Sequence, residues 1–363
     1  MASESERAST PAWRARARLF GLLIVCVVAQ GEEVSVGITP GGKASELDLT
    51  WRTTWASLGA VARADLYLAA AAAGKLDKGL ISWARVMQSG ESQYGNVLVR
   101  GALATTDIPP GVIGIIDKPA TISLETVVDR LHSQYGDHPM LGAEISLITS
   151  LVREPTDERS LLALLLLRES TRAASPLMPY LLTFLTRAHE NVPSAWDPNT
   201  DEGLARRAGL DSLPGGPTLM QAADALRKHI MERYAELVPR ALTSLPNLLG
   251  VAGDADDPVQ PHQVYSSQRF AEIWLAIRTR AFETPAGFGV LVPVGDLMNH
   301  PPVGEESNVE IEPSSGGGFV MRAKRHIKRG EQMTLSYGES LTAERALLIY
   351  GFPRAVWSRL PSS

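Results

Sequence analysis

One cysteine, Cys26, stands among 363 residues. A single thiol cannot close an internal disulfide framework and cannot build a cysteine-type zinc cluster. A positive charge excess is lacking too: 35 Lys and Arg face 40 Asp and Glu, a formal net charge of −5, so no electrostatic case exists for a nucleic-acid partner. The apolar run at 19–29 is far short of the ~20 residues that a membrane-spanning helix needs, and no permanent membrane span is expected. No internal repeat period is apparent. What remains, 44% apolar and 21% charged residues, is globular material for one large or two modest domains.

Residues 1–30 read as a leader: Arg14, Arg16 and Arg18 precede the apolar run, and Val27, Val28 and Ala29 stand before a possible cut. That three-part form is a secretory-type signal or an organelle-targeting leader, plastid routing included. Residues 31–79 form a linker and an alanine-rich helix at 58–76. A short helix is expected at 80–87, with Trp83 and Val86 inward and Gly90 closing it. Strands at 97–104 and 112–116, joined by a turn at 107–111, read as a hairpin-like pair.

From Glu144 to about Arg240 the pattern turns helical. Leu161 to Leu167 is apolar on nearly every side, the mark of a buried helix, and 222–234 is amphipathic with Arg227, Lys228 and Glu232 outside. Turn material interrupts at 193–198 and 213–217. Residues 254–261 make an acidic, proline-containing loop.

Chemistry concentrates in residues 292–352. Asp296, Asn299 and His300 stand at i, i+3 and i+4, so one helical turn would set a carboxylate, an amide and an imidazole on one side before Pro301 and Pro302 end it. Asp and His are also metal-ligand types, but no second His or Glu pair lies at ligand spacing, and no metal is expected. Residues 310–312 and 319–323 alternate as strands across a turn at 314–318, and 332–337 reads as another short strand that ends on Tyr337.

The Asn299-His300 pair, then Gly330-Glu331 through Tyr337-Gly338, then LLIYGF resembles the SET-domain methyltransferases of the Rubisco large-subunit type. The resemblance extends upstream to FAEIWLAIRTRAF at 270–282, to Arg100-Gly101 with Asp107, Ile108 and Gly111, and to SLLALLLLRE and SPLMPYLLTFL in the helical region. It covers about 80–352. It implies an α+β SET fold of short β-sheets with an inserted helical subdomain: residues 80–145 and 263–352 as the two parts of the SET domain, 146–262 as the insertion and 353–363 as a tail. Two departures stand out. Val99 replaces a glycine that the family tends to have, and the chain ends at Ser363, where family members usually continue into a helical substrate-binding domain. The single cysteine argues against the SET proteins with cysteine-held zinc.

The resemblance implies transfer of methyl from S-adenosylmethionine to a lysine of a protein substrate. Close relatives within the group act on histidine, and a non-catalytic, partner-binding SET-like module is the other alternative. By the same resemblance, Tyr337 is the catalytic phenol, and Arg100, Gly101, Arg280, Asp296, Asn299, His300 and Tyr337 bind the cofactor. Arg280 takes its carboxylate or shapes that end of the pocket, and Asp296 fixes the turn. Tyr350 and Phe352 line the acceptor channel.

Overall fold

The structure, a computed structural model, describes residues 87–94, 97–172, 175, 177–184, 191–250, 264–283, 289–302, 304–338 and 341–351. The expected leader, linker, helix at 58–76, Trp83, Val86, acidic loop, Phe352 and tail lie outside them. Among the described residues no helix is long and apolar enough to cross a membrane, and no three His, Cys, Asp or Glu side chains gather as metal ligands.

The chain opens with β1 (Met87–Tyr94) and β2 (Val97–Ala104), antiparallel with Gly90 opposite Gly101. Gly90 therefore sits inside a strand and closes no helix. Met87 already belongs to that strand, because pairing along the whole of β2 overrides the local pattern. Strand β3 (Gly111–Ile116) does not pair with β2. The segment between them carries Pro109 and Pro110, and Ile108 bridges to Ile327. The proline pair cannot supply the N–H groups that a tight hairpin needs, and the chain crosses to a second sheet.

A helical layer follows: α1 (Leu124–Tyr135), α2 (Pro139–Ile148), α3 (Pro155–Glu169), α4 (Met178–Phe184), α5 (Asp201–Asp211), α6 (Gly216–Ser244) and α7 (Ser267–Arg280). Local chemistry sets their starts. Ser123 and Thr126 exchange hydrogen bonds as a capping box on α1, and Pro155 opens α3 while Asp157 accepts from the Arg153 and Glu154 N–H groups. Leu161 to Leu167 of α3 are all buried, and α3 packs against both α6 and α7 at the centre of the core. On α6, Lys228 and Glu232 face out as expected. Arg227 is instead half-buried, bonded to the Trp196 carbonyl and Asp197.

The chain then returns through β4 (Phe282–Glu283), β5 (Gly289–Val290), a tight turn Gly295–Leu297, β6 (Val309–Pro313), β7 (Phe319–Ala323) and β8 (Gln332–Met333). The expected hairpin is β6–β7, and β3 adds to its other edge. Strand β8 pairs with β2, Ala102 opposite Met333. Last come α8 (Ala343–Arg345) and a wide turn Ala346–Tyr350, whose Leu347 packs with Leu210, Leu219 and Met220 of the helical layer.

Candidate active site

The site is assembled where residues 294–300 and 332–337 lie side by side against β2. Val294, fully buried, takes φ 73° and ψ −48°. A β-branched residue there is strained by about 1–3 kcal/mol, a cost that the surrounding packing must offset. This sharp bend sends the chain into Gly295–Leu297. The expected helical turn stops there: Met298 is extended, and Asn299 forms a parallel bridge with Thr334 while its carbonyl accepts from the Leu335 N–H at 2.9 Å. Asp296 and the Asn299-His300 pair are consequently split between a turn and an extended segment.

Asp296 faces the helices. Its Oδ2 accepts from the Tyr180 hydroxyl of α4 at 2.8 Å and from Arg280 Nη1 at the end of α7 at 3.2 Å. Both members of the ion pair are buried, with side-chain exposures of 6% for Arg280 and 0% for Asp296. Breaking such a pair from one side costs about 3–5 kcal/mol, so the triad locks the turn to both helices. Asp296 Oδ1 is buried with no partner among the described residues.

His300 is buried, and its Nδ1 accepts the Tyr337 N–H at 3.1 Å, which leaves the proton on Nε2. Tyr337 lies beyond β8 and ends no strand. Its placement comes from that bond and from its hydroxyl, which donates to the Met298 carbonyl at 2.8 Å. Its ring lies 5.5 Å from the His300 ring and 4.5 Å from the Tyr350 ring, centroid to centroid. Asn308, also buried, accepts from the Thr334 N–H and donates to the Gln332 carbonyl, and so ties the start of β6 to this segment.

Gly101 completes the wall. A Cβ there would stand 2.7 Å from Asn299 Nδ2 and 2.8 Å from Gln332 Nε2, closer than real side chains approach. Arg100 precedes it on β2, opposite Glu91. Thus Gly101, Asn299, His300, Tyr337 and Tyr350 come together, whereas Arg280 and Asp296 meet one another at the helical side. Sequence reasoning missed three residues that hold the site: Tyr180, Asn308 and Gln332. Tyr180 and Gln332 left a signal, since they belong to the SPLMPYL segment and to the Gly330–Gly338 segment; Asn308 carries none.

The SET domain family model matches residues 99–338, well over half of the chain, and the chain belongs to that family. Its fold is similar to solved structures of Rubisco LSMT. The SET domain of LSMT bound to lysine and AdoHcy is 17% identical, with a TM-score of 0.50, 74% of this chain and 53% of that one covered. Rubisco LSMT bound to sinefungin and monomethyllysine is 18% identical, with a TM-score of 0.55 and coverages of 82% and 57%. Rubisco LSMT bound to AdoMet is 17% identical, with a TM-score of 0.52 and the same coverages. The chain spans a little over half the length of these structures. At such identities the likeness is one of fold. Comparison with curated proteins by sequence gives no match.

Proposed function

We propose that the chain is a protein methyltransferase that uses S-adenosylmethionine and methylates the side-chain amine of lysine. The observation that carries this reading is the convergence of Asn299, His300 and Tyr337 on the cradle at Gly101. The site fits the cofactor on two grounds. A close-approach glycine lies beside two amide ends, and the buried donor Gln332 Nε2 has no partner among the described residues.

When bound, the cofactor supplies a methyl on a cationic sulfur, which passes to a deprotonated amine as the carbon–sulfur bond breaks and S-adenosylhomocysteine is left. Arg280, which its pair with Asp296 holds at the helical side, would take the cofactor's carboxylate, for which a guanidinium is suited by its two parallel donors, or shape that end of the pocket. Arg100, Gly101, Asn299 and His300 hold the remainder, largely through main-chain and amide hydrogen bonds. The Tyr337 hydroxyl commits its proton to Met298, so the oxygen keeps lone-pair capacity to set against a developing or departing positive charge. Tyr350, its ring against that of Tyr337, offers an aromatic face to the incoming amine.

The lysine reading is supported by lysine and monomethyllysine in the similar LSMT structures. The test is calorimetric titration of the full chain with S-adenosylmethionine, followed by methyl transfer from the labelled cofactor and amino-acid analysis of the product. One-to-one binding that disappears in Asn299→Ala, with label in methyllysine, is expected. No binding by a demonstrably folded sample would favour the partner-binding module, and label in methylhistidine would move the acceptor.

A further inference from the structure

The segment 322–330 gathers Arg322, Lys324, Arg325, Lys328 and Arg329 with no acid between them, in a chain whose net charge is −5. All five are exposed. The backbone that carries them is pinned. Ile327 is buried and exchanges N–H bonds with the Ile108 backbone in both directions, the Lys324 N–H donates to the Asn308 carbonyl, and the Gly330 N–H donates to the Ala104 carbonyl. Ala104 lies three residues along β2 from Gly101, so this end of the loop stands about 10 Å from the cradle.

The nearest acids spend their hydrogen bonds on that backbone. Asp107 accepts the Arg329 N–H and Glu331 accepts the Lys328 N–H. Glu331 also pairs with Arg325, on which Glu305 acts as well, and Glu312 pairs with Arg322. The side-chain heads of Lys324, Lys328 and Arg329 form no ion pair or hydrogen bond among the described residues. An apolar patch adjoins them. Gly111 lies opposite Ala323 and Val112 opposite Arg322, so β3 runs beside the root of the loop, and Val112 and Ile115 stand out at 55% and 52% exposure. The register shift between Val112 and Gly114 brings Ile115 to the same outer face as Val112; in a regular strand, residues three apart point to opposite sides. Among the described residues no strand pairs with the other edge of β3.

We propose that the basic loop 324–329, together with Val112 and Ile115 of β3, docks an acidic segment of a partner protein that carries apolar side chains among its carboxylates. Charge complementarity selects the acids and speeds their encounter with the loop. The exposed β-branched pair selects a protein, because apolar side chains offer a phosphate chain nothing. The rim points the same way. Exposed Glu305 and Glu306 stand on the flanking loop and exposed Glu310 and Glu312 on β6, so with the net charge of −5 they repel a long polyanion while a short acidic segment still fits between them. Three positive heads on a fixed backbone cost little ordering when the segment binds. The partner is thereby held beside the site, and the docking surface itself contains none of the site's residues.

The probes are fluorescein-labelled peptides of alternating Glu and Val, matched peptides with Gln in place of Glu, a labelled oligothymidylate and phosphatidylserine vesicles. Peptides and oligonucleotide are titrated with the full chain by fluorescence anisotropy, vesicles are read by co-sedimentation, and S-adenosylmethionine affinity is read by calorimetry. The Glu/Val peptide should bind about tenfold more tightly than its Gln counterpart, and the difference should shrink as salt rises. Lys328→Glu combined with Arg329→Glu should weaken the Glu/Val peptide about tenfold, and Val112→Ser about threefold, with cofactor affinity unchanged. These positions are exposed, and Lys324→Glu alone supplies an independent reversal of charge if the double variant fails to fold. No binding of the Glu/Val peptide, equal binding of its Gln counterpart, or binding indifferent to the charge reversals overturns the proposal. Tighter binding of the oligonucleotide or the vesicles than of the peptide overturns it too, as does a double variant that loses cofactor affinity and keeps the peptide.

Discussion

Gly101→Ala separates the site from the scaffold. The added Cβ would meet Asn299 Nδ2 at 2.7 Å and Gln332 Nε2 at 2.8 Å, where ordinary contact begins at 3.4 Å. The Asn299 amide end must therefore retreat by about 0.7 Å and the Gln332 one by about 0.6 Å, more than a dispersion contact tolerates. The Asn299 backbone is fixed by the Leu335 N–H and the bridge to Thr334, so its side chain rotates instead. A rotation of about 30° costs roughly 0.5–1.5 kcal/mol. Alanine within a strand returns about 0.5–1 kcal/mol relative to glycine. The net stability change is within about 1 kcal/mol, a shift of roughly 2–4 °C in Tm for a domain of this size. The Asn299 amide, however, no longer points where it did, and loss of its hydrogen bond should raise the S-adenosylmethionine Kd about tenfold. Calorimetric titration and a thermal melt on the same sample read both. Unchanged affinity with an intact fold would refute a cofactor role for Asn299. A loss of more than about 3 kcal/mol would show that the two amides cannot rotate away, against the reasoning from side-chain freedom.

In the buried triad, Asp296→Asn leaves the Arg280 guanidinium without its counter-charge and should lower unfolding stability by about 3–5 kcal/mol. Tyr180→Phe removes one hydrogen bond to a charged group, about 1.5–3 kcal/mol. Denaturant melts that rank the two variants in the reverse order would contradict the geometry. Tyr337→Phe should reduce kcat by about 10²–10³ while changing cofactor affinity little, whereas Asn299→Ala weakens both; negligible effects of both changes on turnover would sink the site assignment. For Glu331, burial works to raise the carboxyl pKa, but hydrogen bonds from Arg325 and the Lys328 N–H, with the Arg325 charge and Asn308, prevail and hold it below its usual 4.5. A depressed folded value means that its stabilisation is fully present above the usual value and is lost as pH falls through the lower one. The stability difference between wild type and Glu331→Gln should thus be constant near neutrality and shrink below about pH 4.5. A difference that stays flat to strong acid would count against the pairing.

What the sequence made legible follows the range of the forces involved. Helix α3 was readable because seven apolar residues in succession have no solvent face to offer, and β6–β7 because alternation and a Gly/Ser turn are contained in fifteen residues. The turn at Asp296 was misjudged for the opposite reason. Spacing of i, i+3 and i+4 describes one face only while the helix continues, and here the extended backbone from Met298 onward is fixed by partners some 35 residues away. The same holds for Tyr337, placed by His300 and Met298 rather than by a strand of its own. Asp296 draws its partners from 16 and 116 residues away, a separation no window can see. The Asn299-His300 and Tyr337-Gly338 pairs were found through resemblance, and the geometry supplies the reason they belong together: the imidazole of one pair holds the backbone N–H of the other, so neither can be repositioned alone.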